Sequence, residues 1–269
     1  PCSLGKVEDD FRIQKTLPTI IELSKRGNKI ILISHLEERG RTPSFLTVAA
    51  YLRRHGLKHL RFVEDIIGQE SKLAAGKMKY GDVLLLENLR KDPREKKNDE
   101  EFARELAQLA DVFINEAFSA SHRAHASIVG VPKLLPGYAG PLFLEELRQL
   151  SKTFRPSHPF VFILGGVKPI KLLLLEKFLA KADTIIVGGT MANTLLAAKG
   201  VKVGESQIEK ESVPDINKSI LESEKIIFPA DVDVESKGRK ETKFISELEE
   251  SDNIFYLGPQ TAVIAEETI

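Results

Sequence analysis

The chain has 269 residues, enough for two domains that each bury a core. Lysine plus arginine and aspartate plus glutamate both number 39, so the net charge is zero and any cationic site must be local. This balance argues against wholesale nucleic-acid or membrane binding. Cys2 is the single cysteine, which excludes internal disulfides and a cysteine-based metal cluster and fits a reducing, cytoplasmic setting. No apolar run approaches the roughly 18 residues of a membrane span, and the opening residues do not read as a secretory leader.

Apolar runs of strand length occupy positions 29–34, 60–64, 82–87 and 111–115, then 160–164, 184–187, 225–228 and 253–257. They are apolar throughout rather than alternating, as in strands covered on both faces of a parallel sheet. Helix signals lie between them. Leu17, Ile20, Ile21 and Leu23 lead to a stop at Gly27. Thr42-Pro43-Ser44 opens a helix with Phe45, Val48, Ala49 and Leu52 on one face. Asn98 precedes a run with Phe102, Leu106, Leu109 and Ala110, and Glu101 stands where a capping-box acid would. Pro169, Thr190 and Pro214 mark further helix starts. Such alternation predicts an α/β fold of doubly wound parallel sheets. Leu142, Leu144, Leu147 and Leu150 predict an amphipathic hinge helix, broken at Arg155-Pro-Ser-His-Pro159, dividing the chain into 1–150 and 151–269. Lys91 to Asn98 reads as a solvated mixed-charge loop.

Ligands of open parallel sheets bind beyond the carboxyl ends of the strands. His35 and Arg39 follow the first strand, Arg90 the third, and His122, Arg123 and His125 the fourth, while Arg12 lies in a charged segment just before the first helix. One such residue would be ordinary surface decoration. Cations at several equivalent loops point to a pocket for a multiply charged anion, to which arginine gives bidentate contacts. The second half differs: Leu164-Gly165-Gly166-Val167-Lys168-Pro169, with Lys171 beyond it, and Val187-Gly188-Gly189-Thr190 each pair glycines with a helix start. Singly these read as tight turns. In tandem they favour a nucleotide or phosphate site, although neither is a Walker A loop or a dinucleotide fingerprint. No nucleophile-base pair and no metal-ligand spacing stands out, which is compatible with phosphoryl transfer.

Asn115-Glu-Ala-Phe118, His122-Arg-Ala-His-Ala-Ser127, Leu85-Leu-Glu-Asn-Leu-Arg90, Ser34-His-Leu36 and Leu164-Gly-Gly-Val-Lys168 resemble motifs of phosphoglycerate kinases. Arg12 with Leu17-Pro-Thr-Ile20, Ile128-Val-Gly-Val131 and Gly258-Pro-Gln-Thr261 match in the family's order, so the resemblance covers nearly the whole chain. It implies reversible phosphoryl transfer between ATP and 3-phosphoglycerate, giving ADP and 1,3-bisphosphoglycerate. It implies an N-terminal triose-phosphate domain and a C-terminal domain for the Mg2+-nucleotide, closing about a hinge, in a monomeric cytoplasmic enzyme. By this similarity Arg12, His35, Arg39, Arg90 and Arg123 bind the triose, and Arg12, Lys168 and Lys171 act on the transferred group. Gly165, Gly166, Lys171, Gly188, Gly189 and Gly258 line the nucleotide site.

Departures from the family's pattern are specific. The Arg-Val-Asp-Phe-Asn stretch before Pro1, the Asn-Gly-Pro loop and the metal-holding Gly-Gly-Asp loop are not among these residues. The chain therefore reads as a fragment cut at both ends, inactive by itself, with an unfilled strand position and exposed strand edges in its first sheet. The family's Ser-His-Leu-Gly-Arg-Pro is replaced by Ser34-His-Leu-Glu-Glu-Arg39, and one residue fewer separates Lys168 from Lys171. A non-catalytic relic that binds phosphorylated ligands is the alternative reading.

Overall fold

The computed structural model describes residues 2–3, 6–38, 40–166 and 170–269. They form two compact units, Pro1–Ser151 and Lys152–Ile269.

Unit 1 opens with a short antiparallel ladder of β1 (Cys2–Ser3) and β2 (Lys6–Val7). Helix α1 (Phe11–Lys25) buries Leu17 and Ile20 and is followed by Gly27 at φ +83°, a left-handed geometry that glycine adopts without steric cost. Strand β3 (Ile30–Leu32), helix α2 (Leu46–Arg54), strand β4 (Arg61–Phe62), helix α3 (Gln69–Gly76) and strand β5 (Val83–Leu85) then build a parallel sheet in the order β3-β5-β4. Central β5 is buried on both faces. Val83 and Leu85 pack with Leu17, Ile20, Ala49 and Leu52, while Leu84 and Leu86 pack with Val63, Ala74 and Met78. Alternation of side chains across the strand thus serves two cores, and each fully buried aliphatic contributes about 1.5–3 kcal/mol.

Beyond β5 come a tight turn at Leu89–Lys91, helices α4 (Pro93–Lys96) and α5 (Glu100–Ala107), and strand β6 (Phe113–Asn115), which pairs in parallel with β7 (Gly137–Ala139). Helix α6 (Pro141–Ser151) ends the unit. Two corrections arise here. The segment from Lys91 to Asn98 is not a solvated loop, because it contains α4 and the fully buried Glu95. The cap of α5 is Asp99, whose side chain accepts from the Phe102 N–H, whereas Asn98 sits at φ +53° before it. Among the described residues the parallel strands of unit 1 stand in two separate sheets, with β3 and β4 at the edges of one and β6 and β7 forming the other.

Unit 2 carries β8 (Val161–Gly165), α7 (Ile170–Leu179), β9 (Thr184–Gly188), α8 (Gly189–Ala198), α9 (Lys218–Leu221) and β10 (Ile226–Ile227). Its parallel sheet runs β10-β9-β8 over a core of Leu164, Leu175, Ile185, Val187 and Leu195. Strands β11 (Asp231–Ser236), β12 (Arg239–Phe244) and β13 (Asp252–Leu257) form a second sheet, and α10 (Pro259–Thr268) follows. Here the structure corrects the expectation of parallel strands throughout: β13 pairs antiparallel with β11. The cause is local. Lys237 and Gly238, both at positive φ, make the tight reversal between β11 and β12, and buried Val232 and Val234 alternate with half-buried Asp233 and Glu235. Among the described residues no helix is long and apolar enough to cross a membrane.

Candidate functional site

In unit 1 the loops after β3, β5 and β6 bring cations together. Arg12 belongs to the first turn of α1 rather than to the segment before it. His35 sits in the loop after β3, Arg90 in the turn after β5, and Arg123 after the short turn Phe118–Ala120 that follows β6. Burial, then electrostatic repulsion from Arg90, Arg123, His125 when protonated, and Arg12, lowers the pKa of His35 to about 4. His125 is lowered as well, by burial and then by Arg90, Arg123, Lys96 and His122. The imidazoles are therefore held neutral near pH 7 inside a field made by arginines.

Buried polar side chains fix these loops. Asn88 is fully buried, donates to the carbonyls of Leu36 and Pro43, and accepts the N–H groups of Leu36 and Arg90. One side chain thus pins both ends of the loop that follows His35. Neighbouring Glu87 accepts from the N–H groups of Phe45 and Asn88 and from the Lys91 ammonium. Its burial favours the neutral acid, but Lys91 and those N–H groups outweigh this and keep the carboxylate below its ordinary pKa. On the far side, Glu95 holds the backbone N–H and hydroxyl of Ser127, just past His125.

Arg90 is the most enclosed cation, with a side chain 4% exposed. Its Nη1 donates to Glu37 Oε2 at 3.1 Å, its Nη2 lies 3.4 Å from His125 Nδ1, and its buried Nε has no partner. Among the described residues the guanidinium groups of Arg12 and Arg123 make no hydrogen bond or ion pair. Several donors without acceptors around a neutral histidine suit an anion with several oxygens.

In unit 2, Gly165 of β8 and Gly188 of β9 are register partners at the strand ends, and a Cβ on Gly165 would meet the Gly188 carbonyl oxygen at 3.4 Å. Gly166 and Gly189 follow at φ +104° and +56°. Helix α8 starts at Gly189, and its cap residue Gly188 offers no side-chain acceptor, so its first N–H groups face a bare glycine edge. Gly258 has a structural reason of its own: a Cβ there would lie 2.3 Å from the Asp231 carboxyl, which accepts from the Gln260 and Thr261 N–H groups and caps α10. Arg39, Lys168 and the side chain of Lys171 lie outside the described residues. Among the described residues no group of three or more His, Cys, Asp or Glu side chains is placed to hold a metal ion.

The family profile described as phosphoglycerate kinase matches residues 1–269. The chain is 40% identical over 270 residues to a phosphoglycerate kinase of Coprothermobacter proteolyticus, covering 96% of this chain and 68% of that relative. It is 46% identical over 220 residues to the one of Moorella thermoacetica, covering 80% of this chain and 56% of that relative. The chain belongs to the phosphoglycerate kinase family. It is thus a phosphotransferase of the class with a carboxyl acceptor, as its motifs led us to expect. The solved phosphoglycerate kinase of Coxiella burnetii matches with a TM-score of 0.76 at 31% identity, over 99% of this chain and 71% of that one. The Pyrococcus horikoshii OT3 phosphoglycerate kinase matches with 0.86 at 26% identity, over 100% and 72%. These likenesses bear out the α/β fold class.

The motifs contain Asn88 and His125 without showing what they touch, and sequence reading does not single out Glu37, Glu95 and Lys96 as neighbours of the cationic cluster. Only the alternation of His35 and Glu37 along an extended segment could have signalled one of them.

Proposed function

We propose that the cationic loops of unit 1 bind 3-phosphoglycerate and that the glycine edge of unit 2 faces ATP, the γ-phosphoryl group passing to the triose carboxylate to give ADP and 1,3-bisphosphoglycerate. The single observation that carries this reading is the cationic cluster of these loops, in which Arg90 lies against His125 and the charges of Arg12, Arg90 and Arg123 act on His35. The acceptor carries one carboxylate and a phosphate monoester of about −1.5 to −2 charge, close to the charge of three guanidinium groups.

Each step follows from positioning and charge. The substrate carboxylate oxygen attacks the γ-phosphorus, the bond to the β-phosphate oxygen breaks, and ADP leaves with that electron pair. Arg12 serves the moving phosphoryl group, and Arg90 and Arg123 hold the triose. Lys168 and Lys171 supply further positive charge, and the α8 N-terminus offers backbone donors to the nucleotide. Mg2+ would accompany the nucleotide phosphates and neutralise their charge; among the described residues no His/Cys/Asp/Glu cluster is placed to hold it. The enzyme is read as monomeric and cytoplasmic. A polypeptide of these 269 residues alone is expected to bind triose with negligible turnover, since they include no Gly-Gly-Asp loop.

Calorimetry with 3-phosphoglycerate tests the reading. Binding that is lost in Arg123→Ala while the fold is kept supports it; no binding by the folded parent chain refutes it.

A further inference from the structure

Glu37 is the acid within this cationic cluster. Its Oε2 lies 3.1 Å from Arg90 Nη1 and 2.7 Å from Lys96 Nζ, so one carboxylate bridges two cations. Its position follows from the anchored loop. Asn88 pins the Leu36 backbone and the Leu36 side chain packs into the α1–α2 core, while the neighbouring Glu37 side chain meets Arg90 and Lys96. Beyond it, reciprocal backbone bonds between Glu38 and Arg41 close a turn with Gly40 at φ +76°. The backbone on both sides of Glu37 is therefore held, while its side chain is 39% exposed.

Arg90 shows why this matters. Glu37 takes Nη1 and His125 stands against Nη2, leaving Nε as the unpartnered nitrogen. A carboxylate or phosphate engages a guanidinium best through two parallel N–H···O bonds. With Glu37 in place, an Nη1 donor that a bidentate ligand would use already serves a carboxylate.

We infer that the Glu37 carboxylate is an internal occupant of the anion site, which a multiply charged ligand displaces by side-chain rotation, releasing Arg90 and turning Lys96 into a further ligand contact. This deepens the triose-phosphate reading and rests on it for the identity of the ligand. Glu37 sets an affinity threshold that any anion entering the site must exceed. A weakly charged anion must compete with a carboxylate already held by two cations, whereas a phosphorylated acid brings more charge than it displaces.

The test is calorimetry at fixed ionic strength with two probes, 3-phosphoglycerate and inorganic sulfate. The proteins are the parent chain, Glu37→Gln, Glu37→Ser and Glu37→Gln combined with Lys96→Met. Both single variants are expected to bind both probes about three- to tenfold tighter, the range of a partly exposed charge pair. The added Lys96→Met should cancel part of that gain. Unchanged or weaker binding in both single variants overturns the inference, since Glu37 would then be ordering Arg90 rather than occupying its place. Tighter sulfate binding with no 3-phosphoglycerate binding in any form keeps the internal occupant and removes the triose reading. Failure of sulfate to bind any variant, with tighter 3-phosphoglycerate binding, supports both.

Discussion

The carboxylate of Glu95 accepts both hydrogen-bonding groups of Ser127, the N–H at 3.0 Å and the hydroxyl at 2.5 Å, across 32 residues of chain. Glu95 is fully buried. Through Ser127 it fixes the end of the loop that carries Arg123 and His125, so a residue outside the cationic cluster sets where two of its members stand.

Burial raises the pKa of Glu95 against the opposing bonds from Ser127. The folded chain therefore holds this proton more tightly than the unfolded chain. That contribution is full in acid, below the ordinary glutamate value, and is lost as pH rises through the folded value. Glu95→Gln keeps an acceptor for the N–H and a donor for the hydroxyl without a buried charge, so it should be at least as stable as the parent at pH 7. Glu95→Ala should cost about 2–4 kcal/mol and weaken 3-phosphoglycerate binding. Urea denaturation and calorimetry measure both; an alanine variant as stable as the parent would exclude the anchoring role.

His35 gives the opposite pH dependence. Its folded pKa of about 4 lies below the ordinary 6.5, so its contribution to stability is full above about 6.5 and is lost as pH falls toward 4. In that window the parent should lose stability with a slope of up to about 1.4 kcal/mol per pH unit from this group, and His35→Gln should remove that share. His125, also lowered, adds a slope of the same sign that stays in the variant. A bound phosphorylated acid offsets the charges of Arg12, Arg90 and Arg123, so NMR titration should show the His35 pKa rising when 3-phosphoglycerate is added. An unmoved value would mean that the anion binds elsewhere.

Glu116 caps α6 from the β6 side: its Oε2 accepts the N–H groups of Leu142 and Phe143. A Cβ on Gly140 would lie 2.3 Å from Glu116 Cδ. Gly140→Ala should therefore destabilise unit 1 by about 1–3 kcal/mol through overpacking and a weakened cap. In a Glu116→Asp background the shorter carboxylate relieves the collision, and the added cost of Gly140→Ala should fall. Thermal denaturation of the four proteins in this cycle gives the coupling; strict additivity would show that the two residues do not meet in this way.

Short-range patterning announced the apolar strands, the family motifs and the cations at the strand ends, but not strands β7, β11 and β12. Runs such as Val83-Leu84-Leu85 announce a strand buried on both faces, and Gly27 announces a helix end, because periodicity and turn chemistry act over a few neighbouring residues. The loops carrying His35, Arg90 and Arg123 were legible for the same reason: each stands just past a recognisable strand. Tertiary structure alone decided which charges are buried and what they touch. Lys91 to Asn98 looked solvated because nothing local shows that Glu95 meets Ser127, and the extra acids after Leu36 did not show that Glu37 meets Arg90 and Lys96. The antiparallel pairing of β13 with β11 was hidden likewise, since an apolar run does not name its partner. The physical reason is that desolvation and charge pairing depend on distances between residues far apart in the chain, and those distances exist only once the loops are folded against one another.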